Sequence, residues 1–247
     1  MTTPKIPFIK MQALGNDFVL IKEEDLLQPL TEAQIRRIAN RREGIGCDQV
    51  ILLKPAPGVD AAISFYNADG SEALACGNGT RCVAKYLKKD SGLIKTPSHI
   101  SRFQKEGEEI TISLQEPRFL PSHSQGHCID VGNPHFVLFV DHLESISLAT
   151  LGPTIQPPEG INVEVAQVTS RSTIRVKVWE RGVGITPACG SGACATGILA
   201  LKLGLIENPP VYIEMEGGQM KVEWGPGQAP LLTGPAEFCF EGMVELP

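Results

Sequence analysis

Short apolar runs, some alternating with polar residues and some continuous, recur along the chain between glycine, proline and small polar residues. They lie at Asp17–Ile21, Val50–Leu53, Ala62–Tyr66, Ile110–Leu114, Phe136–Val140, Thr173–Val178 and Val211–Glu214. Runs of this length, rich in β-branched residues, predict strands. Helical spacing appears elsewhere. Thr31 and Gln34 form a capping-box pattern ahead of Ile35, Ile38 and Ala39, which predicts a helix starting at Thr31. Two more helices are expected just after glycines, in RCVAKYLKK following Gly79 and ACATGILALKL following Gly192.

Those two helices belong to an internal repeat. Ala75-Cys76-Gly77-Asn78-Gly79 returns as Ala188-Cys189-Gly190-Ser191-Gly192, and Phe65-Tyr66 and Val178-Trp179 end a strand-like run upstream of each. Further back, Gly15-Asn16-Asp17-Phe18-Val19-Leu20 resembles Gly132-Asn133-Pro134-His135-Phe136-Val137-Leu138, and Gly46-Cys47-Asp48 matches Gly160-Ile161-Asn162. Landmarks repeated in one order predict two copies of one fold. The Pro-, Ser- and Gly-rich segment Pro117–Gly126 reads as the seam, giving halves at 1–117 and 126–247. The expected class is α+β, with two pseudo-symmetric domains, each a central helix wrapped by sheet.

Composition narrows the function. The 247 residues are 42% hydrophobic and 20% charged, an ordinary globular balance. Net charge is -6 and the 22 basic residues are scattered, which argues against a nucleic-acid partner. The N-terminus has no apolar signal region, and no stretch approaches the ~20 apolar residues that cross a bilayer, so a soluble cytoplasmic protein is expected, with no membrane partner. Seven cysteines in apolar or glycine-rich segments argue for reduced thiols rather than a disulfide framework.

Cys76 and Cys189 each stand just before a helix start, at the positive end of its dipole and beside backbone N–H groups without helical partners. That setting favours thiolate for both. Gly77 and Gly79, like Gly190 and Gly192, let backbone N–H groups approach an anion such as a substrate carboxylate. If a pseudo-two-fold relates the halves, two thiols point into one cleft from opposite sides. Opposed thiols suit removal of a proton from one face of a stereocentre and its return to the other, with the helix ends stabilising the charge that develops. No cofactor is needed for that racemisation or epimerisation. Cys47, Cys82, Cys128, Cys194 and Cys239 read as core residues, with Cys82 and Cys194 on apolar helix faces. No Cys-x2-Cys spacing occurs, which argues against metal, and the P-loop Lys-Ser/Thr is missing at both glycine motifs.

The segments KMQALGNDF, GIGCDQ, FYNADGSEALACGNGTRC, VGNPHF, WERGVGITPACGSGACA and LTGPAEF, in this order, resemble the diaminopimelate epimerase family over most of the chain. The resemblance implies two similar domains, each with a central helix in a curled mixed sheet. It also implies a homodimer, and interconversion of LL- and meso-diaminopimelate without pyridoxal phosphate, a step toward lysine and peptidoglycan precursors. It places the catalytic cysteines on Cys76 and Cys189, and substrate contacts on Asn16, Gln49, Asn67, Asn133, Asn162, Glu180 and Arg181. The carboxylate cradle falls on Gly77-Asn78 and Gly190-Ser191, and His135 and Glu180 are candidates to assist proton movement at the thiols. Asparagines with an arginine suit a substrate whose far end carries a second amino-acid group. The chain departs from the family at Gln12-Ala13, where His is usual, and at Ile185-Thr186-Pro187, where Glu-Thr is usual before the second cysteine. Two other readings remain open: a related racemase of the proline-racemase kind with another substrate, and a non-catalytic redox or binding protein of the same fold.

Overall fold

The computed structural model describes residues 5–121, 126–155 and 160–246. The chain forms two compact units, one made of residues up to Ile110 together with those from Pro235 onward, the other of Thr111–Gly234. The first contains β1 (Lys5–Ala13), β2 (Asn16–Lys22), α1 (Glu32–Ala39), β3 (Gln49–Lys54), β4 (Ala61–Asn67), β5 (Glu72–Ala73), α2 (Gly77–Tyr86), β6 (Ser91–Lys95) and β7 (Ile100–Glu106). A strand β8 (Glu109–Ser113) begins at the end of this stretch and runs into the second unit. That unit continues with β9 (Arg118–Phe119), β10 (His127–Asp130), β11 (Pro134–Phe139), α3 (Leu148–Thr154), β12 (Asn162–Val168), β13 (Thr173–Glu180), β14 (Gly184–Thr186), α4 (Gly190–Lys202), β15 (Val211–Met215), β16 (Gly218–Glu223) and β17 (Leu231–Pro235). The last strand, β18 (Glu237–Glu245), returns to the first unit.

The strands of the two units follow one plan. In the first unit β1 and β2 are antiparallel, β2 and β3 parallel, β3 and β4 antiparallel, β4 and β6 parallel, and β6 and β7 antiparallel. In the second, β10, β11, β12, β13, β15 and β16 repeat that sequence of directions. Short β5 and β14 fold back on β4 and β13 in the same way. At the near edge, β18 lies antiparallel to β1 where β9 lies antiparallel to β10.

That edge corrects the expected boundaries. The division falls at Ile110 and Thr111 rather than within 117–126, and residues from Pro235 on belong with the first unit because β18 supplies the strand that β1 lacks. The expected seam itself contains β9, and residues 122–125 of it lie outside the described residues. The expected strand at Ile110–Leu114 is β8, paired with β17.

The central strands of each unit are covered on both faces, which is why several of them read as continuous apolar runs. In the first unit Val19 and Ile21 join Ile35 and Ile38 of α1 in one cluster, while Phe18 and Ile51 face α2 at Gly79. A Cβ on Gly79 would stand 2.9 Å from Ile51 Cδ1 and 3.0 Å from Phe65, so glycine is what permits so close a helix. In the second unit Phe136, Val163 and Val165 pack with Leu148 of α3, and α4, apolar all round, is the central helix against β10 to β13, β15 and β16. Thr31 caps α1 with the expected reciprocal bonds to Gln34. Helices α2 and α4 start at Gly77 and Gly190, so the glycines form their first turns rather than precede them. Cys47, Cys82, Cys128 and Cys194 are buried; Cys239 is exposed, on the edge strand β18, and is not a core residue.

Candidate active site

Registers fix which residues of the two units correspond. Phe18 pairs with Gln49 and Gln49 with Asn67 in the first unit. His135 pairs with Asn162 in the second, and Val163 pairs with Trp179, next to Glu180. Asn162 therefore matches Gln49, one place beyond the Asp48 suggested by the repeated glycines, and Glu180 matches Asn67.

In the first unit Cys76 is the N-cap of α2, with extended backbone (φ -152, ψ 104) and its Sγ accepting from the Gly79 N–H at 3.3 Å. The Thr80 N–H and hydroxyl both donate to the Cys76 carbonyl, each at 2.9 Å. The Gly77 and Asn78 N–H groups lie before the first helical hydrogen bond, at the open positive end. Asn78 is buried, donates to Asn16 Oδ1 at 3.2 Å and accepts from Arg81 at 2.8 Å. Asn16 in turn donates to Asp48 at 2.7 Å, and Gln49 donates to Asn67 at 2.9 Å. Asn16 and Asn78, and Gln49 and Asn67, thus form two hydrogen-bonded polar pairs.

Asn16 is aimed by a two-residue hairpin turn. Leu14 and Gly15 both have positive φ, 56° and 83°, as the tight turn between β1 and β2 requires. Gln12, standing where histidine is usual, accepts from the Gly15 N–H at 2.9 Å and donates to Glu237 on β18 at 2.8 Å. It braces the turn. Behind it, Asp17 receives a two-pronged contact from Arg41 at 2.9 and 2.7 Å and one from Lys10 at 2.6 Å. Burial pushes the Asp17 carboxyl up, but Arg41 and Lys10 outweigh it and hold it at about 2.

The second unit repeats the cap with different surroundings. Cys189 is the N-cap of α4 (φ -130, ψ 114), its Sγ accepting from the Gly192 N–H at 3.4 Å and 3.4 Å from Ser191 Oγ. It is buried, and burial together with the charges of Glu180 and Glu164 pushes its thiol well above the ordinary cysteine range, against the opposing pull of Ser191 and the Gly192 N–H. The expectation that the helix end favours thiolate is corrected here: desolvation outweighs the dipole. Glu180 lies within hydrogen-bonding reach of the Cys189 thiol, and burial raises its carboxyl too, although Thr186 donates to it at 2.5 Å. His135 is fully buried, sharing a hydrogen bond with Glu164 at 2.7 Å through Nδ1 and one with Asn133 at 3.1 Å through Nε2. Asn162 accepts from the Arg181 N–H at 2.9 Å, fixing the backbone from which the exposed Arg181 side chain leaves. Ile185, where glutamate is usual, is exposed.

In the first unit Asn78, which follows Cys76 by two residues, joins Asn16, and Gln49 joins Asn67; in the second Glu180 reaches the Cys189 thiol, Asn133 joins His135 and Asn162 holds the Arg181 N–H. Sequence reasoning missed Glu164, Thr186 and Asp17. Glu164 had a signal, an acidic residue inside the apolar run of β12.

Residues 8–118 and 127–239 match the sequence model of the diaminopimelate epimerase family. The diaminopimelate epimerase of Rhizorhabdus wittichii is 40% identical over 266 residues, which cover 98% of this chain and 96% of that protein. Among solved structures, a phenazine-biosynthesis protein of Bacillus anthracis has the same fold, with a TM-score of 0.73, 17% identity and full coverage of both chains. A hydroxyproline epimerase of Agrobacterium vitis does too, with a TM-score of 0.73 and 13% identity over 98% of this chain and 93% of that one. The proline-type enzyme shares the architecture at low identity, whereas full-length sequence likeness runs to the diaminopimelate enzymes. A thiol at the N-cap of an equivalent helix in both halves, and a family match spanning both, place this chain in the diaminopimelate epimerase family.

Proposed function

We propose that Cys76 and Cys189 carry out cofactor-independent epimerisation of diaminopimelate, each serving one face of the reacting α-carbon. The thiolate Sγ on one face takes the α-proton, and the electron pair of the broken C–H bond delocalises into the α-carboxylate. The thiol on the other face then gives its proton to carbon. One thiolate and one thiol remain, with their places exchanged, so the reverse reaction starts from the opposite cysteine. The N–H groups of Gly77-Asn78 and Gly190-Ser191 receive the carboxylate as its charge grows. Asn16, Gln49, Asn67, Asn133, Asn162 and Arg181 hold the amino groups and the distal carboxylate, while Glu180 and His135 receive and steady the Cys189 proton.

The observation that carries this reading is the doubled cap, with Sγ accepting from the third N–H of its helix at 3.3 Å in one unit and 3.4 Å in the other. The test is α-proton exchange in heavy water with diaminopimelate, glutamate, lysine and proline. Exchange with inversion is expected for diaminopimelate alone. Equal exchange of proline would support the broader racemase, and no exchange with any of the four would support a redox or binding role.

The assembly we propose is a homodimer. It is supported by β18, an edge strand exposing Phe238, Phe240 and Met243 on residues 57%, 48% and 56% accessible, apolar surface of the kind a partner covers. Sedimentation at micromolar concentration, comparing the native chain with Phe240→Lys, reads this directly. A cytoplasmic setting is supported by the seven cysteines, all thiols, and by the need of the chemistry for reduced sulfur. Among the described residues no helix is long and apolar enough to cross a membrane.

A further inference from the structure

The two cysteine helices rest on unlike foundations. Beneath the first turn of α2, Gly79 meets Ile51 and Phe18, both apolar. Beneath the first turn of α4, Gly192 meets Glu164: a Cβ there would stand 2.5 Å from Glu164 Oε1. Sheet register makes these the same places. Phe18 is paired with Gln49 two residues before Ile51, and His135 is paired with Asn162 two residues before Glu164, in parallel strand pairs of one geometry. An imidazole and a carboxylate in the second unit therefore replace a phenyl ring and a butyl chain in the first.

The replacement is unfavourable as packing. Glu164 and His135 are both fully buried, and Glu164 Oε2 has no hydrogen-bond partner among the described residues. A buried ionic or polar pair generally stabilises a core no better than apolar residues of similar volume. The first unit shows that this fold is content with Phe and Ile at those positions. What differs nearby is the chemistry: Glu180 lies within hydrogen-bonding reach of Cys189, and the charges of His135 and Glu164 both act on its carboxyl.

We propose that Glu164 is a positioning residue for proton transfer at Cys189, acting through His135. Its Oε1 takes the Nδ1–H, fixing the ring's rotation so that Nε2 is turned to Asn133 and the ring's charge acts on Glu180, which reaches the Cys189 thiol. Glu164 touches no reacting atom. The kinetic part of this inference rests on the function proposed above; the placement of the ring does not.

Three full-length variants test it. Glu164→Gln keeps an acceptor for Nδ1–H and is expected to keep kcat for diaminopimelate within about tenfold. Glu164→Ile, carrying the first unit's own residue, removes the acceptor and should lower kcat at least about a hundredfold, the scale of a general acid–base contribution, with KM within about threefold. The double variant His135→Phe with Glu164→Ile reproduces the apolar pair entirely. It should melt no lower than the native chain and show the same loss, which guards against misfolding of the single variant. Nitrogen-15 spectra of histidine-labelled protein without substrate should show a protected His135 Nδ1–H in the native chain and Glu164→Gln, and none in Glu164→Ile. Native kcat in Glu164→Ile or in the double variant, or an Nδ1–H unchanged in Glu164→Ile, overturns the proposal. If diaminopimelate is not turned over by the native chain but the nitrogen spectra follow this pattern, Glu164 positions His135 and it is the substrate assignment that fails.

Discussion

The Thr186 hydroxyl donates to Glu180 Oε1 at 2.5 Å, on the strand that leads into Cys189. Burial raises the Glu180 carboxyl, and this hydrogen bond is the foremost influence lowering it again. In the proposed mechanism Glu180 accepts the Cys189 proton only when ionised. Thr186→Val removes a hydrogen bond to a charged group, so the Glu180 carboxyl rises further. The acidic limb of kcat/KM for diaminopimelate moves up with it, and activity is lost first on the low-pH side. A limb that stays in place in Thr186→Val removes Glu180 from the proton path.

Much of the first unit's scaffold depends on a single carboxylate. Asp17, held at about 2 by Arg41 and Lys10 against burial, has a folded value below its ordinary 3.8. A depressed carboxyl contributes stability that is present above the unfolded value and lost as pH falls through the folded one. The window is therefore pH 4 down to 2. The difference corresponds to about 2 kcal/mol. Asp17→Asn should lose about that much in urea unfolding at pH 7 and show a shallower decline between pH 4 and 2. An unchanged midpoint at pH 7 contradicts it.

What was legible in the sequence follows what burial writes into it. Strands covered on both faces, such as β3 and β4, announce themselves as apolar runs, and α1 announces itself by a cap whose two bonds lie within four residues. The edge strand β18 does not. Its apolar residues Phe238, Phe240 and Met243 face outward, and its partner β1 lies at the other end of the chain, so no local pattern could reveal that the C-terminus completes the first unit. Helix α3 is short and contains Gly152 and Pro153, which argue against a helix until packing on Trp179 decides it. At the site, the cysteine motifs were plain because glycine and cysteine are constrained by backbone chemistry. The suppression of Cys189 ionisation was not, because it depends on how deeply the cap is buried and on Glu164, a residue of another strand.

Arg181 tests the distal end of the proposed substrate. Its backbone is pinned to Asn162 while its side chain is exposed, so Arg181→Leu alters recognition with little effect on folding. Loss of a bidentate partner for the far carboxylate should lower kcat/KM for diaminopimelate at least about tenfold, with the thermal midpoint unchanged. Native turnover by Arg181→Leu contradicts the assignment.

The two cysteines can be told apart by stereochemistry. In heavy water the native enzyme should deliver solvent deuterium from the thiol opposite the base, so that product of inverted configuration carries the label. With Cys76→Ala or Cys189→Ala, one face of the α-carbon has no acid. The remaining thiolate still removes the proton it faces and returns deuterium to the same side, giving slow exchange with retention. The two variants therefore act on opposite configurations of the reacting centre. Their rates need not match, because burial and the charges of Glu180 and Glu164 hold the Cys189 proton tightly while Cys76 is only half-buried. Exchange by Cys76→Ala, which relies on Cys189 as base, should therefore need higher pH. Slower exchange alone is no criterion, since truncation also removes packing. Configuration is: inversion at a rate near native in either single variant means that one thiol suffices, and the assignment of one cysteine to each face is wrong for this chain.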